Sequence, residues 1–298
     1  MRGILNKLRC CSKKNISGNG WQPERNMNHS LTLSGLVMYK ELLDDIFGTV
    51  AISVRRKMRV YIGFDDTDIL DSEFGTGKVA RRYERLLPAG CQVWGVVRQQ
   101  LLVDPRIPYT SHNSSACIVV EVADPSLTPS LLPLAIEHLE RSSAPGSDPG
   151  LCFVCAGDQS IPALTTFGRL CTEKIMTQAD ARQAAGGSHL SGHGGTNDGV
   201  IGAAAAVGLT ASGWNGRFIE FANLREFPDP VSVGELAGKG IRAVSLDRDA
   251  ICPAPGDLVR TKGWLRPRLW GHEVVLPVMP TGPGRWESMG EKRKKDKP

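Results

Sequence analysis

With 298 residues, 41% apolar and 22% charged, the chain has globular composition and enough length for two cored domains or one large one. No apolar run reaches the roughly 20 residues that cross a bilayer, and the basic N-terminus lacks the apolar stretch of a signal peptide. Eight scattered cysteines do not suggest a disulfide framework, so a cytoplasmic protein without membrane contact is expected. The net charge of +5 is unevenly spread: residues 1–57 hold ten Lys/Arg against four Asp/Glu and residues 285–298 six against three, which leaves twenty against twenty-four for the body. That body, net −4, does not advertise the basic face of a nucleic-acid-binding protein.

In chain order, residues 1–57 are polar and glycine-spotted, with one candidate helix, SGLVMYKELLDDIFGTV. The texture changes at Met58, which is expected to be the native start, with 1–57 a non-native or disordered extension. MRVYIGFDD reads as a strand entering an acidic turn, and KVARRYERLLP as a helix stopped by Pro88. Two strands follow, CQVWGVVRQQLLV and SACIVVEVA, joined by the polar loop PRIPYTSHNS. SLLPLAIEHLER reads as a helix, SSAPGSDPG as a linker and LCFVCAG as a buried strand. ALTTFGRLCTEKIMTQADARQAAG reads as helical, GSHLSGHGGTNDG as a glycine-rich turn, VIGAAAAVGL as a helix of small residues and RFIEFANL as a strand. From about 230 to 280 short β segments alternate with Pro and Gly, and EKRKKDKP closes the chain as a charged, disordered tail. Long loops between mixed strands and helices argue for an α+β fold.

Four carboxylates, Asp65, Asp66, Asp68 and Asp71, stand within seven positions at the end of the first strand. If the strand continued, Asp66 and Asp68 would share one face and Asp65 would take the other. Such oxygen donors suit a hard cation such as Mg²⁺; a solvated acidic turn is the plainer alternative. The following FGTGK is not a P-loop, because Ser72 and Val79 occupy positions that need a glycine and a hydroxyl residue. Gly75, Thr76 and Gly77 still feed a helix N-terminus, where amides favour an anion and Lys78 adds charge. Helix capping alone is the competing reading.

GHGGTNDGVIGA offers a second glycine-rich helix start, with Gly195, Asn197, Asp198 and Gly199 as candidates for nucleotide contact. Close helix packing with a cap at Asn197 or Asp198 explains the same residues. His189 and His193 are four apart, but the glycines around them oppose a helix and hence a zinc pair. Tyr109, His112 and Asn113 in the PYTSHNSSA loop could face a substrate or satisfy their own backbone. Cys152 and Cys155 lie three apart on a strand, on opposite faces, which suits two buried thiols rather than zinc. Trp264 and Trp270 with Arg266 and Arg268 could stack on bases; a hairpin with flanking arginines is the alternative.

Three of these segments, MRVYIGFDDTD, IPYTSHNSSA and GHGGTNDGVIGAAAAVGL, occur in an order that resembles the archaeal tRNA-Ile 2-agmatinylcytidine synthetase family. That family carries an IGxDDTDS turn, an IPxKTRGNGA loop and a GLIGALAAIG helix, and SDPGLCFV is similar to its NPG-strand. The resemblance covers about 58–228. It implies a kinase-like ATP/Mg domain over 58–148 and a ferredoxin-like domain over 149–229, after which the composition sets a small β-rich segment over 230–284 and a charged tail over 285–298. It further implies an ATP-dependent phosphotransferase or ligase in which Asp65, Asp66 and Asp68 hold Mg²⁺-ATP. Thr76, aligned by inserting one residue, would match the family's phosphate-accepting threonine; Lys78 has no counterpart there. The family's KTRGN is TSHNS here, and its tRNA-gripping zinc ribbon has no paired CxxC counterpart. The expected partners are therefore a nucleotide and an unidentified small-molecule or free-nucleotide acceptor, with tRNA disfavoured. The alternatives are a tRNA cytidine-modifying enzyme with a reduced RNA-binding region and an ATP-binding regulatory module without turnover.

Overall fold

The protein is represented by a computed structural model that describes residues 58–110, 112–249 and 251–290. The readings placed on 1–57, on Ser111 and on the closing EKRKKDKP fall outside the described residues.

β1 (Met58–Asp65) alternates by face: Val60, Ile62 and Phe64 point to one side, and Gly63 to the other. It pairs antiparallel with β3 (Ser114–Val122) on one edge and with β4 (Gly150–Cys155) on the other. β2 (Cys91–Gln100) continues the sheet beyond β3, and β5 (His189–Gly192) closes it beyond β4. β6 (Arg217–Glu220) then links β2 to the C-terminal strands. Those are β7 (Val231–Ser232), β8 (Ile241–Ser245), β9 (Leu258–Arg260), β10 (Arg268–Trp270), β11 (Glu273–Gly282) and β12 (Arg285–Ser288). One mixed sheet results, ordered β5-β4-β1-β3-β2-β6-β10-β11-β12-β9-β7, with β8 parallel to β11. The fold is α+β, as expected. Strand continues to Ser288, so the charged tail set at 285 starts too early: Trp286 is a buried core residue there.

Helices cover both faces of the β1–β5 half. On one side α1 (Thr76–Arg82), a 3-10 turn (Tyr83–Leu86) and α2 (Thr128–Ser142) pack on Ile62, Phe64, Ile118 and Leu151. Val79 of α1 and Tyr83 of the 3-10 turn are buried, whereas Leu86 is 44% exposed because the helix tightens into that turn before Pro88. On the other side lie α3 (Ile161–Leu170), α4 (Gln178–Ala185) and α5 (Gly199–Ala211), against Cys117, Val119, Cys152 and Val154. The stretch read as one helix over 163–186 divides in two, and Thr177 and Asp180 form a capping box that restarts it. A third core, with Phe218, Leu236, Val259 and Leu276, fills the C-terminal strands and α6 (Val233–Gly238).

Register sets what stands at the rim of the sheet. Asp65 pairs with Gly150, and Gly150 with Gly192. One step inward, Phe64 pairs with Ala116, Ala116 with Arg98, Arg98 with Arg217, and Arg217 with Arg268. The acidic turn therefore shares its end of the sheet with three arginines.

Candidate functional site

The strand ends at Asp65, because Asp66 adopts φ 52° and turns the chain out of the sheet. Strand alternation thus stops one residue earlier than the sequence suggested, and Asp66 and Asp68 are not set by it. Asp65 lies under α5. A Cβ on Gly202 would run into its carboxylate, so only glycine lets the helix come this close. Burial first, and then the Asp66 and Asp68 carboxylates, push Asp65 up to about 8. Burial, followed by Asp148, Asp68 and Asp198, pushes Asp66 up to about 6. None of these five carboxylates has an ion-pair partner among the described residues.

Asp68 plays a different part. Its Oδ1 accepts the Thr76 backbone N–H and hydroxyl, both at 3.2 Å, and its Oδ2 accepts the Thr110 hydroxyl at 2.9 Å. It supplies the cap that Gly75, at the N-cap position, cannot. The first amide of α1 therefore already faces an anion. Thr76 is only 6% exposed, and its oxygen also accepts the Thr67 hydroxyl at 3.1 Å. Gly77 packs on Ile219, and the Lys78 ammonium sits 3.6 Å from the centre of the Phe74 ring. The Gly-Thr-Gly turn is built around Asp68 rather than left open.

The second glycine-rich start reaches the acidic turn from the other side of β1. Asp148, in the segment read as a linker, accepts the Thr196 hydroxyl at 2.6 Å and faces Gly195, whose φ is 38°. Asn197, with φ 66°, packs its side chain on Gly192. Asp198 precedes α5 without capping it and accepts Gln178 Nε2 at 2.6 Å. Gly199 lies against the backbone of Asp148 and Gly150. Close packing accounts for these glycines, and it brings Asp148 and Asp198 to Asp66. Sequence reasoning missed Asp148, although SDPG was visible as a motif.

Other candidates stand apart from this cluster. Tyr109 is 40% exposed and His112 is exposed. Asn113 donates to the Leu102 carbonyl at 2.7 Å, and its own carbonyl accepts the Leu101 N–H at 2.9 Å, so it holds the loop shut. It is Thr110 of that loop that touches Asp68. His189 opens strand β5 (His189–Gly192), where the sequence suggested a turn, His193 follows its end, and their Nε2 atoms meet Ser191 Oγ at 2.8 and 2.7 Å. His193 Nδ1 bonds Glu140 at 2.9 Å. Cys152 and Cys155 do take opposite faces of β4, and both are free thiols. Trp264 is covered by Arg225 and Arg266, 4.6 and 4.5 Å from its centre, which is the hairpin reading rather than an open stacking platform.

No three His, Cys, Asp or Glu side chains among the described residues are gathered closely enough to hold an ion by themselves. Hard carboxylate oxygens without organic cations are nonetheless the right donors for Mg²⁺, which is commonly held by one or two carboxylates, waters and substrate phosphates. Asp65 and Asp66 fit that pattern. No helix among the described residues is long and apolar enough to cross a membrane.

No protein-family model matches the sequence, and no curated protein matches it. Among solved structures the chain is similar to a tRNA fluorescent labelling enzyme, at 27% identity and a TM-score of 0.42. It is also similar to TiaS in complex with an isoleucine tRNA and ATP, at 25% identity and a TM-score of 0.43. Both comparisons cover 51% of this chain and 36% of the other. Apo TiaS, an agmatidine synthetase for the same tRNA, gives 26% identity and a TM-score of 0.40 over 51% of this chain and 35% of that one. This chain thus spans little more than a third of the length of the structures it is similar to.

Proposed function

We propose that the chain is a Mg²⁺-ATP-dependent phosphoryl-transfer or ligase-type enzyme that binds its nucleotide at the end of β1 and acts on a small-molecule or free-nucleotide acceptor. The observation that carries this reading is the charge of the site. Asp66 feels Asp148, Asp68 and Asp198, and Asp65 feels Asp66 and Asp68. None of them has a Lys or Arg ion-pair partner among the described residues, and Asp65 and Asp66 are held well above the ordinary carboxylate range. Near neutral pH the buried Asp65 gives up its proton fully only beside a cation. When bound, Mg²⁺ would neutralise charge developing on the transferred phosphoryl group. Asp65 and Asp66 would hold it, Asp148 and Asp198 would orient waters, and Asp68 would fix the turn by capping α1. Phosphoryl transfer asks little more of a protein than positioning and charge neutralisation.

The test is ATP turnover with Mg²⁺ and a metabolite mixture, read by mass spectrometry. Wild type should consume ATP only with Mg²⁺, and Asp66→Asn should lose about 100-fold or more, as removal of one electrostatic group from such a site does. Unchanged turnover in Asp66→Asn would sink the site. Mg²⁺-dependent ATP binding without turnover of any acceptor would mark a regulatory module instead.

A further inference from the structure

Arg98, Arg217 and Arg268 are direct cross-strand neighbours on β2, β6 and β10. Directly opposed residues project from the same face of a sheet, so three guanidinium groups stand side by side over two strand intervals, about 10 Å. Like charges in this relation destabilise a sheet. The usual remedy is an interleaved carboxylate, and elsewhere this protein applies it: Glu220 takes both Arg81 and Arg225, and Glu273 takes Arg242. Yet none of the three has a carboxylate within ion-pair reach among the described residues. Arg268 has only the Trp270 ring, at 5.8 Å. All three are half-buried. Burial, and then Arg268, Arg266 and Arg98, lower the pKa of Arg217, and burial lowers that of Arg98. A repelling, partly desolvated row is a poor choice for stability alone.

Its position gives it a use. Arg217 pairs with Arg98 and Arg98 with Ala116, which packs in the α1-side core, so the row shares the α1 face of the sheet; the next residue but one, Ile219, packs on the first turn of α1 at Gly77. Arg98 is two strands from Phe64, about 10 Å from the residue that precedes Asp65. The Asp65 carboxylate itself lies on the opposite face, under α5, but the turn after it returns to the α1 side, where Asp68 caps Thr76, so the turn and the row flank the first turn of α1.

We propose that Arg98, Arg217 and Arg268 seat the phosphate groups of the acceptor, so that the acceptor is a phosphate ester rather than a neutral amine or sugar. Guanidinium groups bind phosphate oxygens in bidentate fashion, and an anion between them relieves the repulsion. This rests on the reading of the carboxylate cluster as the nucleotide site, and the experiment separates the two.

Binding is measured by calorimetry on the full chain without Mg²⁺ or ATP, with cytidine monophosphate and with a five-nucleotide oligouridylate as probes. Wild type should bind at least one of them, and Arg217→Gln should weaken that binding at least tenfold. Arg169→Gln, the same charge change on the exposed side of α3, should leave it within twofold. A preference for the mononucleotide assigns a free phosphate ester, and a preference for the oligonucleotide with steep salt dependence assigns a polynucleotide. The thermal midpoint guards against misfolding: relief of repulsion should hold or raise it in Arg217→Gln, and Arg98→Gln serves as the second variant. Equal binding by wild type and both row variants would overturn the proposal. So would loss of Mg²⁺-ATP binding in Arg217→Gln, which would give the row to the donor nucleotide. Asp66→Asn should keep probe binding, so failure of the carboxylate site leaves a different signature.

Discussion

At Gly202 a single hydrogen in place of a side chain decides whether the site exists. The helix start rests on the Asp65 carboxylate, and any Cβ would displace one or the other. Gly202→Ala is expected to destabilise the fold by about 1–3 kcal/mol, the usual range for overpacking a filled core, read as a lower urea midpoint. Gly256→Ala, where a Cβ meets nothing within 4 Å, should stay within about 0.5 kcal/mol of wild type. Equal midpoints for the two variants would mean that α5 is free to lift away from β1. Some of this was legible in the sequence. A helix built mostly of glycine and alanine, as GVIGAAAAVGLTA is, announces close approach to another backbone. What it approaches was not legible, because the partner is an aspartate more than 130 positions away in the chain. Asp68 illustrates the same boundary from the other side: its type marked it as a ligand, yet its oxygens are spent on Thr76 and Thr110.

Among elements, the strands with clear apolar alternation or continuous apolar runs, β1 to β4, follow their patterns, and the offset of Cys152 from Cys155 correctly divides them between faces. β5 could not be found that way, since every residue of HLSG is only half-buried at the sheet edge and no apolar periodicity marks it. The break between α3 and α4 was present as Thr177 and Asp180, a capping box hidden inside a long helical composition. The short α1 and its 3-10 continuation need outside support, because seven helical residues do not hold themselves in water. Tyr83 provides it: the buried ring packs edge-on to Phe64, and its hydroxyl donates to the Leu131 carbonyl at 2.7 Å. Tyr83→Phe keeps the ring and removes that hydrogen bond from a carbonyl inside α2, so a loss of about 0.5–1.5 kcal/mol is expected in thermal or urea unfolding. Because α1 carries Thr76 and is capped by Asp68, hydrogen exchange at the Thr76 amide should quicken in the same variant. An unchanged exchange rate would show that the turn is held by Asp68 alone.

For the molecule as a whole, charge divides along one rim of the sheet, carboxylates at β1 and arginines from β2 to β10. The carboxylate side makes stability depend on pH in a definite direction. Asp65 is raised on folding to about 8, and Asp66 to about 6, from the ordinary carboxylate range. The folded protein therefore holds protons that the unfolded chain releases near pH 4, and its stability falls wherever it binds more protons than the unfolded state. The contribution is complete below about pH 4 and lost as pH rises through about 6 and then about 8. In EDTA the thermal midpoint should fall over that window. Asp65→Asn removes the larger part of the slope and should melt at least about 3 °C above wild type at about pH 8.5, given shifts of about 2–4 °C per kcal/mol for a domain of this size. Added Mg²⁺ binds only the folded form and should restore the wild-type midpoint at high pH while leaving the variant unmoved. Identical pH profiles for the two proteins in EDTA would mean that Asp65 meets enough water to ionise normally, and the cluster would lose its claim to need a cation.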